Sequence, residues 1–250
     1  MSIGSFGEDR RVRFQARYAA ALEGFISKEE KRYYLNGIYV HPHPEGKGVL
    51  LVATDGHKLA VIRDEDGEAN GGWICEFPKR AMAACKSKSR DKTLSPFDDA
   101  GDVHFVGRAC YVTARGFDAP PSPRSDPTVI GQFHLASEIA PPIDGTFPNY
   151  EKVVADSLPK EGKKTAPAVT FNGHILAAFT KASSLLNEAQ AKTQATMTIV
   201  LGEDNAQPSV VRIDGVPEFL GIVMPMRGNP NCFAMPDWLP RPKVDEAVSK

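Results

Sequence analysis

A short strand, a helix and then a run of strands recurs about three times along these 250 residues. In the first copy Val12-Arg13-Phe14 reads as the strand. Residues 16–30 read as the helix, with Ala19, Leu22, Phe25 and Ile26 recurring on one face. Strands follow at 32–41, where Tyr33, Leu35 and Ile38 alternate with polar or small residues, and at 48–63, which opens apolar and β-branched. The Gly- and acid-rich stretch 64–72 is a loop. The second copy opens at Trp73 to Phe77. Pro78 suits a first helical turn, residues 79–89 continue the helix, and strands are expected at 103–106, 109–114 and 129–135. Residues 117–127 are a loop, because proline cannot donate to a strand ladder. The third copy has a strand at 168–171, a helix at 173–191 and strands at 197–201, 209–213 and 218–224. Residues 156–166, with Pro159, Gly162 and three lysines, read as a linker. The copies share little sequence, so the repeat is structural, and the class expected is α+β.

Charge and cysteine usage narrow the function. Thirty Lys and Arg against 31 Asp and Glu give a formal net charge of −1. Tight nucleic-acid binders are usually basic, since neutralised phosphates drive their affinity. Near-neutrality therefore argues against a dedicated DNA reader but permits a protein that encloses DNA loosely, with its basic residues gathered on one face. No apolar run reaches the ~18 residues of a membrane span, and the N-terminus lacks a secretory pattern. Cys75, Cys85, Cys110 and Cys232 show no CxxC spacing, so neither a disulfide framework nor a zinc site is expected. The expectation is a reduced, cytoplasmic protein without cofactor.

Two runs carry more specific information: Arg32-Tyr33-Tyr34-Leu35-Asn36-Gly37 and Val52-Ala53-Thr54-Asp55-Gly56-His57-Lys58-Leu59-Ala60. Asp55-Gly56 is a tight-turn dipeptide in which Gly supplies positive φ, holding His57 and Lys58 at an exposed corner. The pair resembles the middle domain of the bacterial DNA polymerase III β sliding clamp, where Tyr-Tyr-Leu-Asn-Gly precedes Ala-Thr-Asp-Gly-His-Arg-Leu-Ala. Gly145-Thr146-Phe147-Pro148-Asn149-Tyr150 resembles that family's domain-linking Gly-Arg-Phe-Pro-Asp-Tyr. Ile222-Val223-Met224-Pro225-Met226-Arg227 resembles its C-terminal Val-Val-Met-Pro-Met-Arg.

The resemblance implies a DNA-clamp architecture of paired βαβββ units, with sheets outside and helices lining a hole for DNA. Residues 1–155 then correspond to the clamp's middle domain, 156–228 to a shortened second clamp domain equivalent to the end of the last one, and 229–250 to a tail. The family's first domain and the opening half of its last have no counterpart. A two-subunit ring is therefore not implied. Two-domain subunits as a trimer, four chains with three helices each, or no ring at all remain open.

The family's peptide-docking cleft maps onto Thr54, Gly56, His57, Lys58 and Leu59 on one side and Ile222, Val223, Met224, Pro225, Met226 and Arg227 on the other. Flexible Met side chains re-pack around varied apolar ligands, which suits such a cleft. Lys58 stands where the family has Arg, losing a planar fork of donors, and Ala155 where its linker has Pro. The apolar tail, with Cys232, Phe233, Met235, Trp238 and Leu239, would lie in the cleft, dock on a neighbour or remain a solvated terminus. The DNA-facing candidates are Arg17, Lys28, Lys31, Lys79, Arg80, Lys86, Lys88 and Arg90, with Lys181 and Lys192 as further positions. Their contacts would go to phosphates and carry no base information.

Catalysis is not expected. Asp55 and His57 could form an acid–base pair, and His41, His43 and His104 could be ligands. Asp55 is better explained as a turn former, however, and His41-Pro42-His43-Pro44 as a polar hairpin tip. No metalloprotease, nucleophile-elbow or phosphate-loop motif is present. The sequence thus points to a homo-oligomeric processivity factor that encircles duplex DNA and engages a polymerase and a clamp loader, with no membrane partner. The other reading is a clamp-derived interaction module that binds replication proteins without encircling DNA.

Overall fold

The computed structural model describes residues 6–86, 99–116, 134–157, 169–186 and 196–227. The first unit comprises β1 (Arg11–Gln15), α1 (Ala16–Leu22), β2 (Ile38–Pro42), β3 (Val49–Thr54) and β4 (Lys58–Asp64), followed by the two-residue β5 (Glu68–Ala69). The second comprises β6 (Trp73–Cys75), α2 (Lys79–Cys85), β7 (Ala100–Val106), β8 (Ala109–Ala114) and β9 (His134–Ile139). After α3 (Tyr150–Ser157), the third comprises α4 (Gly173–Leu186), β10 (Met197–Val200), β11 (Ser209–Ile213) and β12 (Phe219–Val223).

These strands form two sheets, of order β5-β1-β7-β8-β9 and β10-β11-β12-β4-β3-β2-β6. The order shows an exchange. The opening strand of each of the first two units leaves its own meander and pairs antiparallel with the second strand of the other unit, β1 with β7 and β6 with β2. The other edge of each opening strand is covered by the chain that follows its own unit's last strand. Val12 pairs with Ala69 and Cys75 bridges Pro142. The third unit joins the second sheet through β12, which runs antiparallel to β4 with Ile222 opposite Leu59 and Val223 opposite Lys58.

The main core lies between the helices and the sheets, where Phe14, Ile38, Leu51, Phe105 and Val112 of the strands meet Leu22 of α1 and Ala81 of α2. The third unit is fastened to it by three rings. Phe179 of α4 meets Phe25 edge-on at 4.9 Å between centroids, and both lie near Phe219. Gly221 makes room for this: a Cβ there would sit 2.4 Å from the Phe179 ring. Beside Phe105, the buried Arg10 enters the core with Nε donating to the Gly107 carbonyl at 2.9 Å and Nη2 to the Ala140 carbonyl at 2.5 Å. Its guanidinium stacks on Phe105, 4.6 Å from the ring centre.

Several expectations are corrected. Residues 33–35 form a 3-10 turn rather than a strand, because Leu35 N–H and Asn36 N–H donate locally to Arg32 and Tyr33. The first helix ends at Leu22 and passes into a 3-10 turn at Glu23–Phe25, where Gly24 comes against Ala178. The helix at 150–157 falls partly in the expected linker. Asn149 caps it by accepting from the Lys152 N–H at 2.9 Å. Ala155 lies inside this helix, where proline would remove a helical hydrogen bond. Residues 155 and 156, between which the sequence reading divides the domains, both lie in α3. Among the described residues, the opening strand of the third unit is represented by an isolated bridge, Thr170 to Met226. The expected loop at 117–127 and tail at 229–250 lie outside the described residues.

Candidate docking cleft and basic helix face

The β3–β4 turn is built by side chains as much as by backbone. Thr54 Oγ1 donates to the Lys58 carbonyl at 2.8 Å and accepts from Gly56 N–H at 3.0 Å. Asp55 Oδ1 accepts from the N–H groups of His57 (2.9 Å) and Lys58 (3.1 Å), and Asp55 ion-pairs with the Lys58 ammonium. Burial pushes the Asp55 carboxyl up, but Lys58 and the two N–H groups outweigh it and hold it below the usual carboxylate range. Gly56 has φ +90°, and any Cβ there would meet Arg32 Nη1 at 2.4 Å. Asp55 thus serves the turn, contacting His57 through its backbone. Lys58 is corrected from an exposed corner to a pinned group, its side chain 11% exposed. His57 remains exposed.

The ladder between β4 and β12 brings the second half of the candidate cleft to this turn. The His57 carbonyl accepts from Met224 N–H at 2.9 Å, and Met226 N–H donates to Thr170 at 2.8 Å. Met224 and Met226 are 36% and 48% exposed, Arg227 is exposed, and Pro225 is half-buried between them. Beside them, on the sheet face turned away from the main core, Val52, Leu59, Val61, Ile222 and Tyr150 form a separate apolar cluster. Val154 and Leu220 pack on it while remaining partly exposed, and Phe147 stacks on Tyr39 at 4.9 Å between centroids. The candidate positions meet at the joint between β4 and β12, where Leu59 and Lys58 pair with Ile222 and Val223 and the Met224 N–H reaches His57. The contribution of Tyr150 and Val154 of α3 to the neighbouring apolar cluster was not read from the sequence. Its signal was the Asn149 cap followed by apolar residues at helical spacing.

The basic candidates divide. Lys28, Lys31, Lys79 and Arg80 are exposed, as is Arg17, which donates to Tyr18 Oη at 2.8 Å. Arg80 lies 4.0 Å from Glu138. Lys86 and Lys181, from α2's end and α4, converge on Glu23 at the end of α1, at 2.5 and 2.7 Å. Burial pushes the Glu23 carboxyl up, yet the two lysines outweigh it and keep it below the ordinary range. Lys88, Arg90 and Lys192 lie outside the described residues. Glu23 was not among the residues read from the sequence, since nothing in the linear order brings 23, 86 and 181 together.

The histidines do not form a ligand set. His41 Nε2 contacts Tyr150 Oη at 2.8 Å, His43 Nδ1 accepts from Glu45 N–H at 3.1 Å, and His104 is buried in the first sheet. Among the described residues, no group of three or more His, Cys, Asp or Glu is arranged to hold a metal, and no helix is long and apolar enough to cross a membrane. Cys75, Cys85 and Cys110 are free and buried.

Comparison with known proteins places this geometry. No family model matches the chain. A curated relative, the beta sliding clamp of Caulobacter vibrioides (strain NA1000 / CB15N), is 33% identical over 132 residues, covering 52% of this chain and 29% of the relative. The beta sliding clamp of Escherichia coli (strain K12) is 27% identical over 172 residues, covering 69% of this chain and 38% of the relative. The chain thus matches well under half the length of these relatives. Among solved structures, Caulobacter crescentus pol III beta aligns with a TM-score of 0.50 at 20% identity, over 91% of this chain and 69% of that one. By sequence the chain is similar to bacterial beta sliding clamps, and its mixed sheets and helices have the clamp fold.

Proposed function

We propose that this protein is a sliding-clamp-like processivity factor, active in the cytoplasm and without chemistry of its own. Several copies enclose duplex DNA, basic residues on the helix side meet phosphates, and the cleft along β4 and β12 docks a short apolar segment of a polymerase, clamp loader or repair protein. On this reading 1–155 is a complete clamp domain, 156–228 a shortened second one and 229–250 a tail. One observation carries it. A rigid turn at Asp55–Lys58 and a strand end bearing two exposed methionines, 169 residues apart in the chain, are hydrogen-bonded side by side next to an apolar cluster. Such adaptable apolar rims beside fixed backbone suit peptide capture.

The test is binding of a fluorescent apolar peptide from a replicative polymerase to the full chain, together with retention of the chain on closed circular DNA. Replacing Met224 and Met226 by Ala should weaken the peptide about 10- to 100-fold, as loss of buried anchors does, while leaving DNA retention unchanged. Undiminished affinity in the double variant would remove the cleft assignment. Peptide binding without retention on circular DNA would leave a docking module that does not encircle DNA.

The helix face gives a second expected result. Glu23→Gln releases Lys86 and Lys181 from their shared carboxylate. Each released lysine that meets a phosphate should steepen the log–log salt dependence of DNA binding by about 0.9. Retention at low salt should rise accordingly, measured by anisotropy over a salt series. An unchanged slope would mean that this face does not meet DNA.

A further inference from the structure

The pairing rules of the first two units are incomplete in the third. In each of the first two, the opening strand is held on both edges. On one edge it meets the chain that follows its own last strand: Val12 with Ala69, Cys75 with Pro142. On the other it meets the second strand of the partner unit: β1 with β7, β6 with β2. The third unit repeats the first contact, since Thr170, three residues before α4, bridges Met226 just beyond β12. It lacks the second. Among the described residues, neither the free edge of Thr170 and its neighbours nor the outer edge of β10 has a strand partner.

Burial follows the same division. In β2 and β7, which are covered by an exchanged strand, Ile38, Val40, Val103 and Phe105 are fully buried. Their counterpart β10 has no buried residue: Met197, Ile199 and Val200 are half-buried and Thr198 is exposed. Phe171, Ile175, Leu176 and Leu185 of the same unit are also only partly covered. An uncapped apolar strand edge of this kind is a template for pairing.

We propose that the third unit is completed by the third unit of a second copy of this chain, related by a two-fold axis. The segment at Val169–Phe171 of each copy runs antiparallel along β10 of the other, as β1 runs along β7 and β6 along β2. The two half-domains thereby become one whole domain with a shared core. The contact is isologous, as a two-fold interface requires, because each copy offers one strand and one vacant edge. This rests on the clamp reading only for the fold, and it specifies which surface assembles the copies.

The experiment is sedimentation and amide exchange of the full chain without DNA, over a concentration series. A dimer should form, and the amides at 169–171 and 197–200 should slow about tenfold or more as it does. Met197→Lys with Ile199→Lys should raise the dimer dissociation constant about tenfold or more, while far-UV circular dichroism and peptide binding at the cleft show the variant folded. A monomer at high micromolar concentration overturns the proposal. So does protection that is independent of concentration in a monomer, which would place residues 228–250 or another segment of the same chain on β10. So does a dimer untouched by the two lysines. Because DNA is absent, the outcome separates from that of the processivity reading. A chain that dimerises through β10 but is not retained on circular DNA sinks only the latter.

Discussion

Replacing Phe179 by Ala should cost about 3–5 kcal/mol, the range for emptying a fully buried aromatic site. It should also loosen the third unit before the rest of the chain. The ring sits between Phe25 of the first unit and Phe219 of β12, with Gly221 beneath it. No smaller side chain fills that space, because the glycine leaves a flat floor and the neighbouring rings belong to different elements. A domain's total stability is about 5–15 kcal/mol, so the loss is a large share of it. Denaturant titration should show the lower midpoint. Amide exchange should show α4 and β10–β12 opening first, with the β1–β9 body still protected. A loss below about 1 kcal/mol would mean that the backbone ladder between β4 and β12, not the aromatic contact, fastens this unit.

A loss of similar size is expected at Arg10, for a different reason. This cation is fully buried, and its hydrogen-bond acceptors are backbone carbonyls, those of Gly107 and Ala140. Nη1 has no hydrogen-bond partner among the described residues, and the Cys75 and Cys110 thiols lie close to the guanidinium. Burial lowers the arginine's pKa from its ordinary value and pushes the Cys75 thiol up to about 12, so the pair is a cation beside a neutral thiol. The side chain ties residue 10 to positions 107 and 140, both at the rim of the first sheet. Arg10→Ala strands the buried Ala140 carbonyl and the partly buried Gly107 carbonyl, the buried one at a cost of about 1–3 kcal/mol, and leaves a void under Phe105. We expect a total loss of about 3–5 kcal/mol. Arg10→Lys should recover less than half, since one ammonium cannot reproduce a fork reaching two separate carbonyls. Equal stability of the Lys variant and the native chain, by thermal and denaturant unfolding, would show that charge alone suffices.

Each half of the candidate cleft is legible in the sequence because each is local. Thr54 to Leu59 is one turn, whose Asp-Gly signal demands the conformation found. Met224 to Arg227 follows directly from a strand. Their adjacency was not local and came only from family resemblance. Tyr33 to Leu35 misled because apolar residues two apart suggest one face of a strand, whereas the local hydrogen bonds of the 3-10 turn bury Leu35 and leave Tyr33 exposed. The strand exchange was illegible for a deeper reason. Periodicity tells which face of β1 or β6 is apolar but not which strand lies beside it, so the partnership of Val12 with Phe105 rather than with its own meander left no mark. The convergence of Lys86 and Lys181 on Glu23 was hidden likewise, since each lysine by itself reads as solvent-facing charge.

Units that complete one another in pairs impose a parity on any assembly. The described residues carry three, an odd number. On the proposed pairing, two of them satisfy each other within the chain and one is left over, so only an even number of chains leaves none unmatched. A three-chain ring would carry nine units and strand one half-domain, whereas two chains make three whole domains and four chains make six. The arithmetic sets the trimer apart from the four-chain arrangement without reference to DNA, and it does so from the vacant edge of a single four-residue strand.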